Sequence, residues 1–148
     1  MIIRQAKKSD NKKVIDLYRK ELNLEKKFDK FSLPNRILRE VTKDINKKNN
    51  IVYVAEDNKK IIGFTHGIIK KTKFSKLKKV GICSVCYIEK SFRRKGIGRK
   101  LTNILLKRFK SKRIKHVYLT VTSKNKIAVK CWRSLGFKEL NETLWKKL

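Results

Sequence analysis

The sequence predicts an α/β (α+β) domain: a mixed, largely antiparallel seven-stranded sheet with helices on both faces, in the order β-α-α-β-β-β-α-β-α-β-β. Three observations carry this. The runs "IVYVAED", "KIIGFTHGIIK" and "VGICSVCYI" follow one another as apolar, β-branched segments of strand length. Four other segments repeat apolar residues at helical spacing. The chain has 148 residues and one proline, the size of one domain over residues 1–148 with no linker or repeat to divide it.

Each element follows in order. "IIRQA" opens the chain as a short strand. Val14, Leu17 and Tyr18 mark the first helix, with Asp10 placed to cap it. Residues 34–46 form the second: Pro34 opens it, and Ile37, Leu38, Val41 and Ile45 make its stripe. Three strands come next, the first two joined by a tight turn at Asp57 and Asn58. The second and third are joined by "KKTKFSKLKK" (residues 70–79), an exposed basic tip. A helix over 96–111 carries Leu101, Ile104, Leu105 and Phe109 on one face. "HVYLTVT" is a strand, and Ile127, Ala128, Cys131, Trp132 and Leu135 stripe the last helix. "FKEL" and "TLWKKL" close the chain as a short hairpin.

Composition narrows the function classes. Lys and Arg exceed Asp and Glu by 30 charges, which favours anionic partners. The excess is 32 Lys against 10 Arg, whereas nucleic-acid sites lean on the planar fork of Arg, so a compositional surplus explains most of it. The start has no apolar run long enough for a signal peptide or a membrane span, so the expectation is a cytoplasmic protein without membrane contact. Three cysteines fit a reducing compartment. Cys83 and Cys86 lie in a strand, three apart and thus on opposite faces, and no second pair exists to complete a zinc site; buried thiols and no metal are expected.

The segment "SFRRKGIGRK" (91–100) lies between a strand ending at Ile88 and a helix start near Gly98. A helix start presents backbone N–H groups with no intrahelical partner and the positive end of the dipole. Gly96 and Gly98 lack a Cβ that would keep a phosphate off the main chain, and Arg93, Arg94, Lys95, Arg99 and Lys100 surround them with charge. The turn suits two adjacent phosphates. Its spacing is neither that of a Walker loop nor that of a dinucleotide fingerprint.

"RRKGIG" (93–98) resembles the R-x-x-G-x-G pyrophosphate loop of the GNAT superfamily of acetyltransferases. "NKIAVKCWRSLGF" (125–137) is similar to that superfamily's N-x-x-A-x-x-x-[YW]-x-x-x-G-F segment, and the two flank the strand "HVYLTV" as in the family. The resemblance extends over almost the whole chain. It implies the acyl-CoA N-acyltransferase type of fold, acetyl-CoA as cofactor, and transfer of its acetyl group to an amine. By the same resemblance, backbone at Cys86, Tyr87 and Ile88 meets the pantetheine arm, and the Ile88 N–H is the oxyanion donor. The pyrophosphate lies on the N–H groups of residues 94–99 (Ile97 among them), Asn125 holds the cofactor where the two central parallel strands splay, and Trp132 joins the cofactor-binding set. Asn125 equally suits a helix cap, and one side chain can do both.

Two positions depart from the family. Where many members carry a Glu base, four residues before Ile88, this chain has Ser84; where many carry an acidic Tyr, seven residues after the Asn, it has Trp132. His66 is the replacement base on offer, although a lone strand histidine is more often structural. Lost acid or base help costs about 10²–10⁴-fold, and orientation alone contributes about 7–11 kcal/mol, so chemistry survives. An α-amine of pKa near 8 is about a tenth unprotonated at pH 7, against well under 1% for a Lys amine, so a site without a base favours α-amines of peptides or proteins. The short "KELNET" link implies an open groove, with "ELNLEKKFDKF" (Glu21, Glu25, Asp29) as helix extension or rim. A +30 body disfavours polyamines. The alternative is a non-catalytic basic module that binds RNA or a ribosome on the same fold, its affinity falling steeply with salt. Either reading allows a monomer or a homodimer.

Overall fold

The structure is a computed structural model that describes residues 1–29, 32–73, 76–144 and 146. The described residues form five strands and four helices: β1 (Ile2–Gln5), α1 (Asn11–Glu25), α2 (Pro34–Asp44), β2 (Asn50–Asp57), β3 (Lys60–Lys71), β4 (Lys79–Ile88), α3 (Ile97–Ser111), β5 (Val117–Tyr118) and α4 (Lys126–Ser134). The strands lie in sequence order, β1 to β4 as an antiparallel meander and β5 parallel to β4.

Strand alternation divides the core into two layers. Val52 and Val54 on β2 face α1 and α2, packing with Val14, Leu17, Leu38, Ile45 and Phe64. Ile51, Tyr53 and Ala55 face α3, packing with Leu101, Leu105 and Phe109. A strand buried on both faces must read as a continuous apolar run, which "IVYVA" does. Two glycines let α3 approach: a Cβ on Gly67 would lie 2.7 Å from Leu105 and Phe109, and one on Gly81 would lie 3.1 Å from the Phe109 ring. Phe109 therefore seats against bare backbone of β3 and β4.

Several local expectations shift. The β2–β3 turn is Asn58-Lys59 rather than Asp57-Asn58: both central residues take positive φ (47° and 61°), and Asp57 pairs with Lys60. Asp10 occupies the N-cap position of α1, but its carboxylate accepts from Arg4 (2.7 and 3.1 Å) and from the Lys7 N–H (2.7 Å), leaving α1 without a side-chain cap bond. The α2 stripe is buried at Leu38 and Ile45, while Ile37 is exposed.

The expected strand over 116–122 contracts to Val117–Tyr118, and residues 137–140 form no strand. Thr143 and Leu144 are likewise outside any strand, while Trp145, Lys147 and Leu148 of the expected closing strand lie outside the described residues, as do Lys30, Phe31, Phe74 and Ser75. Among the described residues five strands therefore stand against the seven expected, and the parallel β4–β5 pairing makes the sheet mixed rather than largely antiparallel. Apolar alternation qualifies a segment for a strand, but a ladder also needs a partner and a covered face. Leu140 is 67% and Leu144 83% exposed, so these two side chains gain no burial that would favour a strand. In α4 the stripe fails at Ile127, which is 84% exposed.

Candidate active site

Between β4 and α3 the chain makes a single 3₁₀ turn at Lys90–Phe92, then extends at Arg93. Arg94 (φ 66°) and Gly96 (φ 73°) both take left-handed backbone. Gly96 is the N-cap of α3, and the first helical bond runs from Lys100 N–H to Gly96 O, at 3.1 Å. Among the described residues the amides of Arg94 to Arg99 find no backbone acceptor outside the helix, and those of Ile97, Gly98 and Arg99 precede the first helical bond. Six consecutive unpartnered donors thus run into the positive end of a helix dipole.

The basic side chains are sorted rather than uniformly free. The Arg93 Nε donates to Ile88 O at 2.8 Å, and its guanidinium lies 5.4 Å from the Tyr87 ring centre. Lys95 sits 5.4 Å from the Phe92 ring centre. Arg99 reaches Ser134 on α4, at 3.4 Å. Gly98 faces β4: a Cβ there would meet Cys86 Sγ at 3.8 Å and Ile88 at 3.9 Å, ordinary contacts, so Gly96 is the glycine that the backbone demands.

Strand alternation orients the end of β4. Glu89 N–H donates to Ile62 O across β3 at 2.9 Å, so the Ile88 N–H points to the other edge. That edge is open, because β5 pairs with β4 only at Gly81↔Val117 and Ile82↔Tyr118. The Ile88 carbonyl on the same edge is taken by Arg93, which leaves the amide as the free group.

One irregularity sets the side chains of β4. The β3–β4 register shifts between His66 and Gly67, which oppose Val85 and Cys83, so Ser84 is an extra residue. The bulge reverses the parity of the strand. Cys83 and Cys86 consequently both pack on the α3 layer, instead of lying on opposite faces, and burial pushes both thiols up to about 12. Ser84 and Val85 instead both turn toward α1, where the exposed Ser84 hydroxyl lies 3.1 Å from Tyr18 Oη.

Behind Ser84 runs a buried chain of polar groups. The Asn50 Nδ2 donates to Asp44 O at 2.9 Å, which leaves its Oδ1 to accept from His66 Nε2 at 2.7 Å. The His66 Nδ1, then the acceptor, faces Tyr18 Oη at 3.5 Å. His66 is 2% exposed, and burial pushes its pKa down to about 4. Tyr18 is pushed up to about 12 by burial. One and two turns further along α1 on the Tyr18 side lie Glu21 and Glu25. Glu25 accepts from Asn125 Nδ2 at 3.0 Å, and Asn125 Oδ1 caps α4 through the Ala128 N–H at 3.1 Å. The cap reading of Asn125 is thereby realised. Trp132 is half-buried and meets Phe137 edge-on, with ring centres 5.6 Å apart.

The structure thus brings Ser84 and His66 together through Tyr18, and keeps Ile88 and the loop on the adjoining edge of β4. Glu89 is engaged by Lys20 (2.7 Å) and Lys13 (3.8 Å) of α1. His116 is exposed at the head of β5. Sequence reasoning missed Asn50 and placed Tyr18 only in a core stripe; the signal available was the Tyr18, Glu21, Glu25 spacing along one helix face.

The model of the acetyltransferase (GNAT) family matches residues 11–137. Among solved structures, a mutant of a Bacillus halodurans protein superposes with TM-score 0.83 at 21% identity, covering 100% of this chain and 99% of that chain. An aminoglycoside 6′-N-acetyltransferase from Acinetobacter haemolyticus gives 0.78 at 19%, covering 100% and 98%. An aminoglycoside N-acetyltransferase in complex with CoA gives 0.75 at 19%, covering 99% and 98%. At these identities the likeness carries the fold. No curated protein matches the sequence. Among the described residues no helix is long and apolar enough to cross a membrane.

Proposed function

The chain belongs to the acetyltransferase (GNAT) family, and from that premise we propose that it moves the acetyl group of acetyl-CoA to a primary amine by direct attack in a ternary complex. The observation that carries this is the row of unpartnered amides from Arg94 to Arg99, running into α3 beside the open Ile88 N–H. Those amides suit a diphosphate, with Arg94, Lys95, Arg99 and Lys100 adding charge. Backbone at Cys86 and Tyr87 would line the pantetheine arm, and Asn125 and Trp132 would flank it from α4. Acetyl-CoA supplies an activated acyl group on a thiolate leaving group. The protein's part is to align the amine with the thioester carbonyl and to give the developing oxyanion the Ile88 N–H.

In this reading His66 serves as a brace rather than a base. A ring with a pKa near 4 has little affinity for an amine's proton at neutral pH, and both nitrogens face partners that fix Tyr18 and hence the Ser84 side of the groove. The acceptor we favour is an α-amine of a peptide or protein, whose low pKa keeps a usable neutral fraction.

Thiol release from acetyl-CoA tests the reading, with a panel of N-terminal peptides, Lys peptides, an aminoglycoside and a polyamine. Turnover with N-terminal peptides foremost is the expected result. CoA-induced thermal stabilisation without turnover on any amine would favour the non-catalytic RNA- or ribosome-binding module, and the absence of stabilisation would remove the loop's assignment altogether.

A further inference from the structure

We propose that Glu21 is the general base that takes the proton from the acceptor ammonium. The inference rests on the N-acetyl transfer proposed above and names a residue for a role left empty by Ser84. Three observations place it. Glu21 stands one helical turn after Tyr18, whose hydroxyl touches Ser84 at 3.1 Å, so α1 carries a carboxyl past the strand position that lacks one. It also stands one turn before Glu25, which accepts from Asn125 at the head of α4, so Glu21 lies on α1 between the Ser84 contact and the α4 contact. Thirdly, it has no partner among the described residues. Among the described residues of a chain with 42 Lys and Arg, the buried Asp10 and the half-buried Asp16, Glu25, Asp44, Glu56, Asp57 and Glu89 each hold a cation or a donor, and Asp29 has a contact of its own; Glu40, Glu139 and Glu142 are exposed, which leaves Glu21 half-buried and unpaired.

The groups that face Glu21 give it basicity. Burial, and then the charge of Glu25 one turn on, push its pKa up to about 7. On its own helix the other neighbour is Tyr18, neutral at that pH; the α1 face of β4 presents Ser84, Val85 and Tyr87, with Cys86, a neutral thiol, on the α3 face behind them. Lys20, the adjacent cation, is committed to Glu89, and Asn125 at the head of α4 is committed to Glu25. The alternatives are spent: His66 is buried and bonded, and Ser84 is a hydroxyl.

The protons balance as follows. Glu21 carboxylate accepts one proton from R–NH₃⁺, the freed lone pair attacks the thioester carbonyl, and the C–N bond forms. Collapse breaks the C–S bond, and the second nitrogen proton leaves with the thiolate as CoA thiol. Glu21 then releases its proton to water. A base of this pKa also brings amines more basic than α-amines within reach.

The test is the pH profile of kcat/KM, using acetyl-CoA and whichever panel amine turns over fastest, for the wild-type protein and Glu21→Gln. Wild type should rise through an ionisation near pH 7; Glu21→Gln should lose it, fall about 10²–10⁴-fold at pH 7, and keep its CoA-induced thermal shift. Glu21→Asp should recover part of the loss. A Glu21→Gln protein within threefold of wild type with the same profile overturns the proposal and leaves the transfer reading standing. A wild-type protein inert toward every amine overturns both. Carboxyl-carbon NMR of the wild-type protein reads the group without substitution: a midpoint near 7 supports the assignment, and one near 4.5 overturns it.

Discussion

The loop at the head of α3 and the polar cluster beneath α1 meet at β4, yet they are built from different material. The loop is contiguous: its donors are main-chain amides of Arg94 to Arg99, and its geometry follows from left-handed Arg94 and Gly96. The cluster is assembled from α1, β2, β3 and β4, through Tyr18, Asn50, His66 and Ser84. A site made of backbone tolerates changes of side chain, provided that the dihedrals survive. A site made of side chains depends on each partner, because every buried polar group left unpaired costs about 1–3 kcal/mol.

The largest expected effect falls on the scaffold of the loop side. Phe109→Ala removes a ring seated on Gly67 and Gly81 and should cost about 3–5 kcal/mol, read by urea unfolding. The contrast weakens if the loss stays below about 1 kcal/mol, since α3 would then not depend on that seat.

The cluster should betray itself through pH. The pKa of His66 falls on folding from 6.5 to about 4, so the unfolded chain binds more protons in that window. Its contribution is therefore whole above pH 6.5 and declines by about 2–3 kcal/mol as the pH drops to about 4. Glu21 has the opposite sign: raised from 4.5 to about 7, it contributes fully below pH 4.5 and loses that contribution as the pH rises through 7. Unfolding curves of His66→Gln should lack the acid slope, and those of Glu21→Gln should gain stability over wild type above pH 7 and none at pH 4. Parallel pH dependence in all three proteins would mean that neither group is perturbed as described.

Smaller effects sharpen the distinction on the loop itself. Gly96→Ala forces a Cβ into left-handed backbone at a cost of about 1–2 kcal/mol, although nothing within 4 Å would obstruct it. The melting temperature and the CoA-induced shift should both fall; an unchanged CoA shift would show that the amides do not need this conformation. Asn125→Ala removes the α4 cap and the donor to Glu25, for about 1 kcal/mol. Its signature is a modest drop in melting temperature, together with a change in the Glu21 titration, because Glu25 loses its anchor one turn away.

The legible part of the fold was its periodic part. β2, β3, β4, α1 and α3 could be read from runs such as "IVYVA" and from Leu101, Leu105 and Phe109, because burial on one face or two leaves a repeat in the chain. The strands expected at 116–122 and 137–140 were over-read, since alternation was present without a ladder along most of their length. The parity of Cys83 and Cys86 was misread for a comparable reason: one extra residue at Ser84 inverts the pleat, and nothing in "CSVC" announces a bulge.

By itself the sequence determined the layered order of helices and strands and the turn of unpartnered amides, since both depend on neighbours along the chain: periodic burial, and consecutive amides released by a helix start. Tertiary structure alone decided which distant side chains meet. Tyr18 and Ser84, 66 positions apart, meet because a bulge turns one strand residue toward a helix. The pKa of Glu21 rises because that packing buries it beside Glu25, while the adjacent Lys20 is held by Glu89.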